Sequence, residues 1–131
     1  VMGHIGLKPQ SVHADGGYRM YGRESHEMKS LLDDGKALQD AGAFALVAEC
    51  VTSDMAQKLR ESLDIPVIGI GSSWDCDGQI IVTEDLLGLT YGRVPSFVPQ
   101  KAELGQDIVS GVKAFKDDIH TNYKALLRTA A

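Results

Sequence analysis

The sequence predicts an α/β fold in which parallel strands are covered by helices. Three observations carry that expectation. Short runs of Val, Ile, Leu and Ala are nearly uninterrupted, as strands buried on both faces require. Between them lie segments whose apolar residues recur at helical spacing. Glycine, proline and hydroxyl residues punctuate the joints. Four consecutive strand–helix units fit into 131 residues, whereas a closed (β/α)8 barrel needs roughly 250. The pattern therefore fits a small open α/β domain or half of a barrel, and periodicity does not choose between them. At this length a single domain, 1–131, is expected.

The elements follow in order. Val1 to Ile5 reads as a short strand ending at Gly6. A long loop follows, marked by Pro9, Gly16, Gly17 and Gly22. From Ser25 to Ala41, Met28, Leu31, Leu32, Leu38 and Ala41 share one helical face, and Gly42 is a natural stop. Phe44 to Val51 is a second strand, apolar except for Glu49. Thr52 or Ser53 caps the next helix, whose inner face is Met55, Ala56, Leu59 and Leu63. Pro66 to Gly71 is the third strand and Ile80 to Val82 the fourth. A long helix over about 106–128 closes the chain, with Ile108, Val112, Phe115, Ile119, Tyr123 and Leu126 as its apolar stripe.

Composition narrows the function. Apolar residues make up 44%, enough for a sizeable core, and the net charge is -5. Basic residues are scattered rather than clustered, which argues against nucleic acid or an anionic membrane as partner. Cys50 and Cys76 do not make a disulfide framework, so a reduced cytoplasmic setting is expected. No apolar run approaches the roughly 20 residues of a membrane span. The start lacks the basic-then-apolar pattern of a signal peptide. Val1 opens directly into strand sequence, so residues upstream are expected.

Glu49 carries the most chemical information. It ends an otherwise apolar strand, and active sites of parallel α/β folds assemble at strand ends. Desolvation there raises proton affinity, which suits a general base; a salt-bridged structural acid fits the same position. His4 holds the matching place on the first strand, as a satisfied core histidine or as a ligand. His13, His26 and His120 read as surface residues. Gly69-Ile70-Gly71-Ser72-Ser73 offers backbone amides to an anion or simply turns the chain. It lacks the third glycine of a dinucleotide site and the lysine of a P-loop. Asp75-Cys76-Asp77-Gly78 has the wrong spacing for a calcium loop. The four His and two Cys show no zinc spacing. Cys50 reads as a small buried filler or as a lining residue.

Four motifs then stand in one order. Met2-Gly3-His4-Ile5-Gly6-Leu7-Lys8-Pro9-Gln10-Ser11 closely resembles a signature of ketopantoate hydroxymethyltransferases. Gly16-Gly17-Tyr18 with Gly22-Arg23, Leu46-Val47-Ala48-Glu49-Cys50, and Pro66-Val67-Ile68-Gly69-Ile70-Gly71 leading to Asp77-Gly78-Gln79 follow at matching spacing. The resemblance covers essentially the whole chain. It implies a (β/α)8 barrel of the phosphoenolpyruvate/pyruvate type, with this chain carrying strands five to eight as the C-terminal half. It implies transfer of a hydroxymethyl group from the co-substrate 5,10-methylenetetrahydrofolate to 3-methyl-2-oxobutanoate, giving ketopantoate for pantothenate and coenzyme A synthesis. Glu49 resembles the general base, and His4 a residue that hydrogen-bonds the ketoacid. Mg2+ is implied as the Lewis acid. Its carboxylate ligands, with a substrate-binding Ser and Lys, belong to the N-terminal half and have no counterpart here. The expected partners are the 2-oxo acid, folate, and either further copies (the family is decameric) or a complementary N-terminal half.

The sequence departs from the family at Ser72-Ser73, where Ala-Gly is usual, at the bulky Trp74, and at Glu84-Asp85 in place of His-Asp. These changes touch folate geometry more than base chemistry. Two other readings stay open. One is a related Mg2+-dependent lyase of 2-oxo acids, distinguished by lack of folate dependence. The other is a non-catalytic half-barrel acting as an assembly module.

Overall fold

The structure is a computed structural model that describes residues 1–11 and 18–129, with side chains described up to Tyr123. Four strands, β1 (Met2–Gly6), β2 (Ala45–Glu49), β3 (Val67–Ile70) and β4 (Gly78–Gln79), form one parallel sheet in sequential order. Helix α1 (Ser25–Asp40) links β1 to β2, and α2 (Ser53–Ser62) links β2 to β3. Strand–helix alternation with chain order kept across the sheet is a half-barrel-like arrangement, as the sequence predicts. Two compact units divide the chain, 1–81 and 82–131.

In the first unit, the register sorts side chains onto two faces, because successive strand residues point oppositely. Pairing of Gly3 with Leu46, Ile5 with Ala48 and Leu46 with Val67 puts these residues on one face. There they join Leu31 of α1 and Met55, Ala56 and Leu59 of α2 in one core. Met55, Ala56 and Leu59 have no exposed surface, so the helical face read from their spacing is the buried one. The other face carries His4, Val47, Glu49 and Ile70.

The helix ends follow local chemistry. Gly42 has φ +89°, and the amides of Gly42 and Ala43 bond back to the carbonyls of Gln39 and Leu38. This left-handed cap satisfies the last carbonyls of α1 and favours glycine. At the front of α1, the Glu27 carboxylate accepts from the amides of Gly22 (2.7 Å) and Arg23 (3.2 Å), which tie the incoming chain to the first turn of the helix. Thr52 caps α2, its Oγ1 accepting from Met55 N and donating to the Gly22 carbonyl.

Strand β4 lies at residues 78–79 rather than at the Ile80 to Val82 run expected from β-propensity. The pairing partner decides. Asp77 N donates to Val67 O and Ile80 N to Gly69 O, which fixes this segment beside the lower part of β3. Beyond Ile70 the chain turns away at Gly71, so Ile81 and Val82 have no strand to join, and Val82 instead precedes the short helix α3 (Thr83–Leu86). A loop, not a helix, joins β3 to β4. Gly78 sits opposite Ile68, so the chain need only step back about two residues of rise, and seven residues span that easily.

The second unit holds α3 and the long helix α4 (Leu104–Thr129). The connecting turn is tied by Lys101 N to Leu86 O and Leu104 N to Leu87 O. Asp85 is buried and accepts from Thr90 Oγ1. Along α4, Ile108, Val112, Phe115, Ile119 and Tyr123 are each at least half exposed. No helix among the described residues is long and apolar enough to cross a membrane.

Candidate active site

His4 and Glu49 meet at the carboxyl ends of β1 and β2. The register pairs His4 with Val47 and Gly6 with Glu49, so the two side chains share a face and lie on a diagonal. His4 Nε2 stands 3.3 Å from Glu49 Oε2. The Glu49 side chain is 14% exposed and that of His4 40%. Burial pushes the Glu49 carboxyl above the usual glutamate range, and the neighbouring imidazole partly opposes the shift. His4 Nε2 also lies 2.8 Å from the Leu7 carbonyl.

The backbone around Glu49 is held on several sides. Its carbonyl accepts from Leu7 N at 2.9 Å. Gly6, with φ +84°, lets β1 pass that carbonyl closely, since a Cβ there would sit 2.1 Å from the oxygen. Cys50 is the one non-glycine residue with positive φ (51°) among the described residues. Its amide donates to Ile70 O and its carbonyl accepts from Tyr21 N, which stabilises this uncommon conformation. Ser72 Oγ donates to Ala48 O at 2.7 Å and accepts from Val51 N at 3.2 Å, bridging β2 to the loop after β3. Among the described residues, no donor hydrogen-bonds to either carboxylate oxygen of Glu49. A partly buried acid with free lone pairs on a fixed backbone can take up a proton.

The other expected residues fall elsewhere. His26 and His120 are exposed on α1 and α4, and His13 lies outside the described residues. Cys50 is buried, and burial followed by the Glu49 charge pushes its thiol up, which leaves it a poor nucleophile. Asp77 serves the fold: Oδ2 accepts from Val67 N and Oδ1 pairs with Arg60 Nε. Trp74 is 83% exposed in the loop after β3, between a buried Ser73 and Asp75, which hydrogen-bond to each other. Glu84 lies on α3. Sequence reasoning missed the Leu7 carbonyl as partner of His4 and the left-handed turn at Cys50, because backbone conformation leaves no mark on residue type there. Ser72 did carry a signal: a hydroxyl directly after the Gly71 turn.

A second cluster ties Arg19 and Tyr21 to the start of α1. Arg19 Nη1 meets Glu27 Oε1 at 2.6 Å, and the guanidinium lies 3.9 Å from the centre of the Tyr21 ring. Burial opposes ionisation of Glu27, but Arg19 and the amides of Gly22 and Arg23 outweigh it and hold the carboxyl below its ordinary value.

Comparison with known proteins bears on the family of the chain. The sequence model of a family described as ketopantoate hydroxymethyltransferase matches residues 1–123. The 3-methyl-2-oxobutanoate hydroxymethyltransferase of Bordetella petrii is 49% identical over 119 residues, covering 91% of this chain and 43% of that protein. Its namesake from Pyrobaculum aerophilum is 50% identical over 121 residues, covering 92% and 46%. That of Anaeromyxobacter dehalogenans is 44% identical, covering 98% and 45%. The chain spans less than half the length of these curated relatives. On the extent of the family match and these identities, the chain belongs to the ketopantoate hydroxymethyltransferase family.

Proposed function

We propose that this chain is the C-terminal half of a (β/α)8 barrel that transfers a hydroxymethyl group from 5,10-methylenetetrahydrofolate to 3-methyl-2-oxobutanoate. The product is ketopantoate, on the route to pantothenate and coenzyme A. The observation that carries this reading is Glu49: a partly buried carboxylate with free lone pairs, raised proton affinity and a neighbouring imidazole, at the strand end of a chain in this family. Glu49 removes the proton from C3 of the ketoacid, and His4 lies beside it at the substrate. The resulting enolate attacks the one-carbon unit; water supplies the hydroxyl oxygen, and tetrahydrofolate leaves as its two C–N bonds to that carbon break.

Among the described residues no group of three or more His, Cys, Asp or Glu is arranged to hold a metal ion. The described residues do not fit Mg2+, and the reading assigns its ligands to the N-terminal half. The exposed stripe of α4 supports association, with that half or with further copies in a homo-oligomer. A cytoplasmic location accords with two free cysteines.

The test uses the complete barrel, with the upstream half supplied. Deuterium exchange into C3 of 3-methyl-2-oxobutanoate is followed without folate. Glu49→Gln is expected to slow exchange on the order of a hundredfold or more, with much less effect on ketoacid binding. The raised affinity of Glu49 for its proton has a sign consequence. The basic form develops as pH rises, so the wild-type rate should fall away on acidification at a higher pH than for an ordinary glutamate. Exchange by Glu49→Gln at the wild-type rate would make Glu49 structural and end this mechanism.

A further inference from the structure

Immediately after Glu49 the chain leaves the sheet through Cys50 in the left-handed conformation (φ 51°). A residue with a Cβ holds that conformation only where its surroundings fix it. Cys50 N donates to Ile70 O and Cys50 O accepts from Tyr21 N, which secures the near side of the turn. The far side rests on a side chain. Val51 N donates to Ser72 Oγ at 3.2 Å. Val51 has no exposed surface, so its amide has no ready access to water if that acceptor is lost. The same hydroxyl donates to Ala48 O at 2.7 Å. It therefore grips the backbone one residue before Glu49 and two residues after it.

A clamp holds only if its own anchor is fixed. Ser73 Oγ donates to Asp75 Oδ2 at 2.8 Å, and Ser73 O accepts from Gln79 Nε2 at 2.7 Å, so the loop that carries Ser72 is tied to itself and to β4. We propose that Ser72 is a positioning residue for Glu49, its hydroxyl locking the turn at Cys50 and with it the direction of the Glu49 carboxylate. This inference rests on the proposed function and adds to it a residue that touches neither substrate nor the carboxylate. The hydroxyl uses its one donor and one acceptor role on the backbone, so a methyl group in its place loses both bonds, whereas threonine keeps them. Proton abstraction from carbon depends steeply on where the base stands, while ketoacid binding does not depend on the base in the same way.

The test follows deuterium exchange at C3 of 3-methyl-2-oxobutanoate by the complete barrel with Mg2+, over a range of ketoacid concentrations. Ser72→Ala is expected to lower kcat on the order of tenfold, as for a displaced base, with KM changing by less than about twofold. Ser72→Thr keeps the hydroxyl and should retain most of the wild-type kcat. In a Glu49→Gln background, Ser72→Ala should cost nothing further, because the hydroxyl has no base left to place. A general loss of folding would instead lower the rate in both backgrounds. The inference falls, and the proposed function stands, if Ser72→Ala leaves kcat within about twofold of wild type or raises KM as much as it lowers kcat. It falls equally if Ser72→Thr is as slow as Ser72→Ala, or if Ser72→Ala slows Glu49→Gln by the same factor as wild type. If the wild-type barrel exchanges no deuterium at C3, the proposed function fails and takes the inference with it.

Discussion

Helices α2 and α4 carry the same kind of pattern and meet opposite fates. On α2 the residues Met55, Ala56 and Leu59 are fully buried. On α4 an equally regular stripe leaves Phe115 67% exposed and its neighbours at least half exposed. Periodicity says which face of a helix seeks an apolar partner; it does not say whether that partner is in the same chain. Helix α2 finds its partner locally because β2 and β3 flank it in sequence and in space. The stripe of α4 leaves a long apolar surface exposed, the kind that seeks an apolar partner.

The sharpest way to break this comparison is to cut into both stripes. Leu59→Ala should lower the stability of the chain by about 2–5 kcal/mol, because a fully buried leucine leaves a cavity. Urea unfolding followed by circular dichroism measures it, and a loss below about 1 kcal/mol would mean that α2 is not packed as described. Phe115→Ser should change unfolding by no more than about 0.5 kcal/mol, as for an exposed side chain. It should instead reduce self-association of the isolated chain in sedimentation velocity. If Phe115→Ser destabilised the chain as much as Leu59→Ala, the α4 stripe would be part of this chain's own core.

How much of the molecule was legible beforehand varies with the kind of signal. Gly42 as helix stop and a helix cap at Thr52 or Ser53 were readable because each acts through its immediate neighbours; the structure gives the cap to Thr52. The buried face of α2 was readable from spacing alone. The fourth strand was not. Ile80 to Val82 has the composition of a strand, but pairing depends on where β3 ends, and that is set at Gly71, outside the segment itself. For the site, the residue types at His4 and Glu49 pointed to strand ends, and the family motifs named them. Their 3.3 Å approach follows from the register of β1 on β2, which no single segment encodes. The Leu7 carbonyl could not have been singled out, since every residue has one.

The sequential strand order also bears on how the chain folds. Partners in β3 and β4, such as Ile68 and Gly78, are 10 residues apart; those in β2 and β3, such as Leu46 and Val67, are 21; those in β1 and β2, such as Met2 and Ala45, are 43. The separation about doubles at each step toward the amino terminus. Closing a loop costs roughly 0.6 kcal/mol more per doubling, so the topology favours docking of β2 on β3 before β1 on β2. Pulsed amide exchange during refolding should then protect β3 before β2 gains its bonds to β1, and simultaneous protection would remove this ordering. Glu49 would reach its final backbone position with β3, while His4 would join it only when the last strand docks.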